Sequence, residues 1–258
     1  MPAESLTIAA RPNWRWRPLA DVLRPHALVT GAAQGIGRAV AERLAVLGWH
    51  VIAADRDSEA LGWASGRDDV TATMLDITDA KAVARVLDAF PGPDIVVNCA
   101  GIAAQLLPLK QIDRRAFEQM LRINTGGTLV VAREAARRMQ GGAIINIASR
   151  GYLGGAGAAH YVVSKAAVVG MTRAMAVELR WRGISVNAVA PGMVETRMIA
   201  DFTPQMRERL TSLEPSGAAL SPDVIAEAVA YLASPAGRSL NGQVLLVDGG
   251  KSLGVFPC

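Results

Sequence analysis

Short apolar runs alternate along this chain with longer stretches whose apolar residues recur every three or four positions. The runs at 27–29, 51–54, 71–75, 95–97, 144–147, 185–189 and 244–247 predict strands. Helical patterns lie between them near 36–47, 79–89, 112–139, 159–181 and 222–233, with a short one near 58–64. Strands that are apolar on both faces and alternate with helices predict a parallel sheet covered on both sides. Right-handed crossovers then make it a doubly wound α/β fold. No linker divides the alternation, so 26–258 reads as one domain. The preceding 1–25, with Trp14, Arg15, Trp16 and Arg17, reads as an arm, either a loosely ordered tail or a segment packed on a neighbouring subunit.

Composition narrows the function. With 258 residues and 51% hydrophobic content the chain can bury a substantial core. Its net charge is +4, but the arginines are scattered along helices, which predicts a solvated surface and no nucleic-acid partner. Every apolar stretch is short and broken by glycine or charge, so no membrane span is expected. Residues 1–25 lack the continuous apolar core of a secretory signal, and Cys99 and Cys258 read as free thiols in a reducing compartment, so the expected address is cytoplasmic.

In such a sheet ligands bind beyond the carboxyl ends of the strands, where the next residues carry the chemistry. The first such segment is Thr30-Gly31-Ala32-Ala33-Gln34-Gly35-Ile36-Gly37, between an apolar strand and an amphipathic helix. Glycines there permit a tight turn and let the backbone approach a pyrophosphate lying on the helix N-terminus. The spacing differs from the dinucleotide-binding G-x-G-x-x-G, and a plain strand-to-helix turn is the other reading. Asp55 closes the second strand, 18 residues after Gly37. There a carboxylate can accept hydrogen bonds from the adenosine ribose, or simply cap the turn near Ser58. Further ends carry Asp76-Ile77, Asn98-Cys99-Ala100-Gly101, Ser149, and Pro191-Gly192 with Val194 and Thr196.

Tyr161 and Lys165 are four residues apart in an otherwise apolar helical stretch, which puts both side chains on one face. An ammonium beside a phenol can draw its pKa down from about 10 toward neutrality. The histidines, His26, His50 and His160, adjoin no carboxylate pair and show no metal-ligand spacing. Neither a Ser-His-Asp hydrolase nor a metal site is expected. His160, next to Tyr161, reads as packing or surface.

Taken in order, these motifs resemble the short-chain dehydrogenase/reductase family over about 26–250. The likeness rests on Thr30-Gly-x-x-x-Gly-x-Gly37, Asp76, Asn98-Cys-Ala-Gly101, Asn124, Ser149, Tyr161-x-x-x-Lys165, Pro191-Gly192 and Val247-Asp248-Gly249-Gly250. Val194-Glu195-Thr196 and the loop after it resemble the oxoacyl-carrier-protein-reductase-like branch. Cys99 departs from the usual second asparagine, and Ser149 precedes Tyr161 by 12 residues, one fewer than the family's usual spacing.

The resemblance implies a single-domain Rossmann fold of about seven strands with helices on both faces. It implies a small-molecule substrate and a homotetramer, while Asp55, with no cation at Ala32, Ala33 or Gln34 and against Arg56, predicts NAD in preference to NADP. It assigns Tyr161 as acid/base, Lys165 as its cationic partner and holder of the nicotinamide ribose, and Ser149 as donor to the substrate oxygen. Asn124 would fix a water linking Lys165 to solvent; its other reading is a side chain bonding its own helix at a bend. Cofactor contacts are expected from Gly31, Gln34, Gly35, Ile36, Gly37, Asp55, Asp76, Ile77, Asn98, Ala100, Gly101, Tyr161, Lys165, Pro191, Gly192, Val194 and Thr196.

Leu106, Leu107, Tyr152, Leu153, Met193 and Met198 are expected around the nicotinamide end. Arg150 or Arg197 either meets an acidic substrate group there or lies on the surface. Met193, Met198, Ile199 and Phe202 form a substrate lid or an amphipathic helix on the core. The activity expected is oxidation of a secondary alcohol or reduction of its ketone. Reduction of an oxoacyl thioester with NADPH and an idle nucleotide-binding scaffold are the alternatives.

Overall fold

The computed structural model describes residues 25–103, 106–197 and 203–254. The arm expected at 1–25, apart from Pro25, lies outside the described residues, as do Met198, Ile199, Phe202 and Cys258. The strands are β1 His26–Thr30, β2 His50–Asp55, β3 Val70–Met74, β4 Ile95–Asn98, β5 Gly142–Ile147, β6 Ile184–Pro191 and β7 Val244–Val247. They form one sheet in the order β3-β2-β1-β4-β5-β6-β7, and every pairing is parallel. The helices are α1 Gly35–Val46, α2 Ala80–Asp88, α3 Arg114–Met120, α4 Thr128–Arg138, α5 Ala159–Leu179, α6 Pro204–Thr211 and α7 Pro222–Ala233.

Alternation along each strand feeds two cores. Ala27, Val29, Val51, Ala53, Val97 and Ile145 pack under α1 and α7. Leu28, Ile52, Val96, Ile144 and Val186 face the other way, under α2, α4 and α5. The sheet is therefore covered on both faces, as its doubly apolar strands require. The edge strands β3 and β7 are the exceptions, half exposed along their length because each has a neighbour on one side only.

The structure departs from the sequence pattern in the region expected as one helix over 112–139. Helical turns at Leu121–Gly127 have π geometry and separate α3 from α4. The extra residue in a π turn re-phases the two halves without losing the helix direction. Asn124 lies inside it, and its side chain bonds the loop after β4. Helix α6 carries no buried residue, so no apolar stripe announced it. Its cause is local: Thr203 Oγ1 accepts the Met206 N–H at 3.2 Å and Pro204 opens the first turn.

Candidate active site

A cavity of about 540 Å³ lies across the carboxyl ends of the strands. The turn between β1 and α1 lines it. Gly31 has φ +69°, and a Cβ there would stand 2.8 Å from the Ala100 backbone. A Cβ on Gly37 would lie 2.0 Å from the Gly31 carbonyl oxygen. Both positions exclude a side chain because backbone meets backbone. Thr30 fixes the neighbouring loop: its hydroxyl donates to Val97 O and accepts the N–H groups of Cys99 and Ala100, both at 3.2 Å. Helix α1 begins at this turn with no side-chain cap and no acid in its first turn. Its leading N–H groups are left for an anion.

Asp55, at the end of β2, lines the same cavity. One carboxylate oxygen accepts the Ala33 N–H at 3.1 Å and the other the Asp57 N–H at 3.1 Å. Asp57, not Asp55, caps the following turn by accepting from Ala60 N. Asp55 is thus tied to the glycine turn, which disposes of its reading as a cap. Asp76 follows β3, and the N–H and hydroxyl of Thr78 hold its carboxyl below the usual carboxylate range.

The other end of the cavity holds Ser149, Tyr161 and Lys165. Ser149 ends the segment after β5, where its Oγ accepts the Gly151 N–H at 3.0 Å and shares a hydrogen bond with Tyr161. The loop that is one residue short still brings these hydroxyls together. Lys165 is buried and donates to Ile147 O at 2.8 Å. Burial pushes its ammonium down to about 8. For Tyr161 the dominant effect is also burial, which raises the phenol above its ordinary value, with the Ser149 bond acting in the opposite direction. A net lowering of the phenol by Lys165 is therefore not what this structure shows.

Asn124 and Asn98 stand behind the cavity wall. Asn124 accepts the Ile102 N–H at 2.8 Å, and its amide donates to Ile102 O and Ser164 Oγ, both at 3.1 Å. It clamps the loop after β4 to α5 and does not bond its own helix backbone. A Cβ on Gly101 would come 3.0 Å from Asn124 Oδ1 and 3.7 Å from Lys165 Nζ, so the clamp borders the ammonium. Asn98 donates to Asn146 Oδ1 at 2.9 Å, and Asn146 donates to Thr172 Oγ1 at 2.9 Å. This buried chain ties β4 and β5 to the face of α5 that carries Lys165, since Thr172 lies two turns further on.

Every other expected cofactor or catalytic residue lines the cavity. Of the expected substrate-side residues, Leu106, Met193, Arg150 and Arg197 line it as well. Leu107 and Leu153 do not, and Tyr152, half-buried, packs instead against the cluster formed by Ala148, Val168, Val169, Ala188 and Ala190. His160 is buried, which selects packing over surface. Cys99 lines the cavity with its thiol pushed up to about 12 by burial, which keeps it protonated. Thr78, Arg122, Ile123 and Val162 also line the cavity and were not expected. Asn146 and Thr172 are ordinary polar residues in sequence and gave no signal.

A glycine turn ready for phosphate and a serine–tyrosine–lysine cluster share one cavity on a doubly wound sheet, the organisation of a nicotinamide-dependent oxidoreductase. The model of the family described as enoyl-(acyl carrier protein) reductase matches residues 31–252. The 3-oxoacyl-acyl-carrier-protein reductase of Rickettsia bellii is 36% identical over 90% of this chain and 98% of its own. The cis-4-hydroxycyclohexanecarboxylate dehydrogenase of Sinomonas cyclohexanicum is 36% identical over 87% and 95%. The BbsD subunit of a hydroxy(phenyl)methylsuccinyl-CoA dehydrogenase from Thauera aromatica is 38% identical over 88% and 96%. A crystal structure of ribose-5-phosphate isomerase from Brucella melitensis 16M superposes with a TM-score of 0.83 at 33% identity, covering 88% of this chain and 91% of that one. The chain belongs to the short-chain dehydrogenase/reductase family, in its oxoacyl-carrier-protein-reductase-like branch, and is a hydride-transferring oxidoreductase.

Proposed function

We propose that the protein interconverts a secondary alcohol and its ketone with NAD. The observation that carries this reading is the placing of Ser149, Tyr161 and Lys165 on one cavity with the glycine turn and Asp55. The turn at Gly31, Gln34, Gly35, Ile36 and Gly37, with the uncapped start of α1, fits a pyrophosphate. Asp55 would hold the adenosine ribose, with Asp76 and Ile77 beyond it. The backbone at Asn98, Ala100 and Gly101 would flank the cofactor. Lys165 and Tyr161 would hold the nicotinamide ribose, and Pro191, Gly192, Val194 and Thr196 the ring. Bound there, the nicotinamide supplies the acceptor or donor of the hydride.

Tyr161 takes the proton from the alcohol oxygen, or returns it, and Ser149 donates a hydrogen bond to that oxygen as charge develops. Lys165, with its Nζ 5.9 Å from the centre of the Tyr161 ring, would support the negative charge that develops there during turnover. Asn124, bordering the ammonium, fixes the water that connects Lys165 to solvent. Oxidation of a panel of alcohols and sugars, followed by the near-ultraviolet absorbance of the reduced nicotinamide with NAD and then NADP, tests the reading. Failure to turn over any of them with either cofactor would count for an idle scaffold.

A second reading, reduction of an oxoacyl thioester with NADPH, draws support from Arg56 and Arg122, which line the cavity within electrostatic reach of Asp76. Relatives named as oxoacyl-carrier-protein reductases favour it as well. Leu129 on α4 and Val163 and Val177 on α5 are exposed apolar residues, which supports pairing of these helices in a homotetramer. Sedimentation at micromolar protein reads the assembly, and a lone 27.1 kDa species would contradict it. Among the described residues no helix is long and apolar enough to cross a membrane. The cytoplasm remains the address we assign.

A further inference from the structure

The charges of the cavity fall into two sets. Asp55, Arg56 and Asp76 stand where β2 and β3 end, and Arg122 is electrostatically coupled to Asp76, so acids and bases balance there. After β5 and β6 the charged lining residues are Arg150, Lys165 and Arg197, and no described carboxylate lines that end. With strands about 4.8 Å apart, β2 and β5 are separated by roughly 14 Å, too far for the acids after β2 and β3 to form ion pairs with the cations after β5 and β6. The acids at the far end leave the reaction end cationic.

Arg150 is the best placed of these. It directly follows Ser149 and opens the turn Arg150–Leu153, which Ser149 Oγ caps. The turn lies against the acid/base, since a Cβ on Gly151 would stand 3.5 Å from Tyr161 Cε1. None of the ion pairs among the described residues includes Arg150. The carboxylate it influences electrostatically, Asp248, is buried and accepts from Gly250 N at 3.0 Å, Ser252 N at 2.9 Å and the Ser252 hydroxyl. Those bonds commit Asp248 to the C-terminal turn. Arg197 also borders an outer groove with Glu42, Glu195 and Asp223, so its charge is shared.

We propose that the substrate is a hydroxy acid or keto acid whose carboxylate lies away from the reacting carbon, and that Arg150 is the residue that selects it. The guanidinium offers paired N–H donors matched to a carboxylate. Hydride and proton leave the carbinol as in the dehydrogenase reading, on which this inference rests, and the carboxylate is chemically unchanged.

The test compares secondary hydroxy acids, cyclic and aromatic, with their methyl esters, under wild type, Arg150→Gln and Arg150→Lys. One charge-assisted interaction corresponds to a preference of roughly 10- to 150-fold for acid over ester in kcat/KM. Arg150→Gln should bring that ratio close to one, and Arg150→Lys should leave an intermediate ratio, because the charge remains without the fork. A ratio compares two substrates on one protein, so partial misfolding does not mimic the result. Equal use of acids and esters by wild type, or a preference that survives in Arg150→Gln, would overturn the inference while leaving the dehydrogenase reading intact. No turnover of acids, esters or neutral alcohols with either cofactor would instead remove the dehydrogenase reading and this inference together.

Discussion

Lys165 Nζ lies 5.9 Å from the centre of the Tyr161 ring. Its hydrogen bond goes to Ile147 O, while the Tyr161 hydroxyl shares one with Ser149. The i, i+4 spacing thus sets the cation beside the ring and leaves the hydroxyl to the serine. In the proposed reaction, proton transfer and charge support fall to these neighbouring side chains as separate tasks.

Separate tasks separate the mutants. Tyr161→Phe removes the exchangeable proton and keeps the ring, so kcat should fall by roughly 10² to 10⁴ with cofactor affinity little changed. Lys165→Ala should damage kcat and cofactor affinity together. Kinetics with a cofactor titration checks both; a Tyr161→Phe enzyme working near the wild-type rate would remove Tyr161 from the chemistry.

Burial of Lys165 also gives stability a pH dependence. Its folded value of about 8 lies below the ordinary 10.5, so between the two the unfolded chain holds the extra proton. Stability then rises with pH, because the cost of a buried ammonium is fully present below about 8 and is relieved toward 10.5. Urea unfolding of cofactor-free wild type and Lys165→Met across this window should show wild type gaining on the variant as pH increases. A constant difference would mean that the ammonium is not desolvated as the structure indicates.

The strands and the glycine turn after the first of them were legible in sequence because burial on both faces leaves continuous apolar runs, and a tight turn with backbone against backbone needs glycines. The break in 112–139 was not, since the π turn comes with a tertiary contact, Asn124 with the Ile102 backbone, that no local pattern announces. Leu106 was expected in the cavity and lines it, whereas Tyr152 packs half-buried against a neighbouring apolar cluster, a choice made by three-dimensional packing. Asp55 was legible as a strand-end acid, but its bond to Ala33 N was not. The support beneath the site was silent for the same reason: Asn146 and Thr172 become partners only when β5 meets α5.

That support can be measured. Asn146→Ala leaves the Asn98 amide N–H without its buried acceptor, in a place where Asn98 Oδ1 already has no partner among the described residues, whereas Thr172 keeps its bond to Val168 O. An orphaned buried donor costs about 1–3 kcal/mol, and the variant should lose about that much in urea unfolding. A loss below about 1 kcal/mol would show that the chain of amides contributes little beyond packing.

In the proposed reading, Asp55 sets the cofactor choice. It lines the cavity with its carboxylate braced on the glycine turn through Ala33 N, and a bond from a ribose hydroxyl to it contributes about 1.5–3 kcal/mol, roughly a 10- to 150-fold preference. A 2′-phosphate in the same place would meet like charge, which widens the gap. Ala32, Ala33 and Gln34 offer no cation within the turn to offset it. Arg56 opposes this ordering, since it also lines the cavity, but its charge acts on Asp76 across the same opening. We therefore expect higher kcat/KM with NAD than with NADP, and Asp55→Ala to narrow the difference. Part of the loss in that variant will come from the unbraced turn and will fall on both cofactors alike, so the ratio of the two efficiencies is the quantity to read. Higher efficiency with NADP in wild type would reverse the assignment and give Arg56 the deciding role.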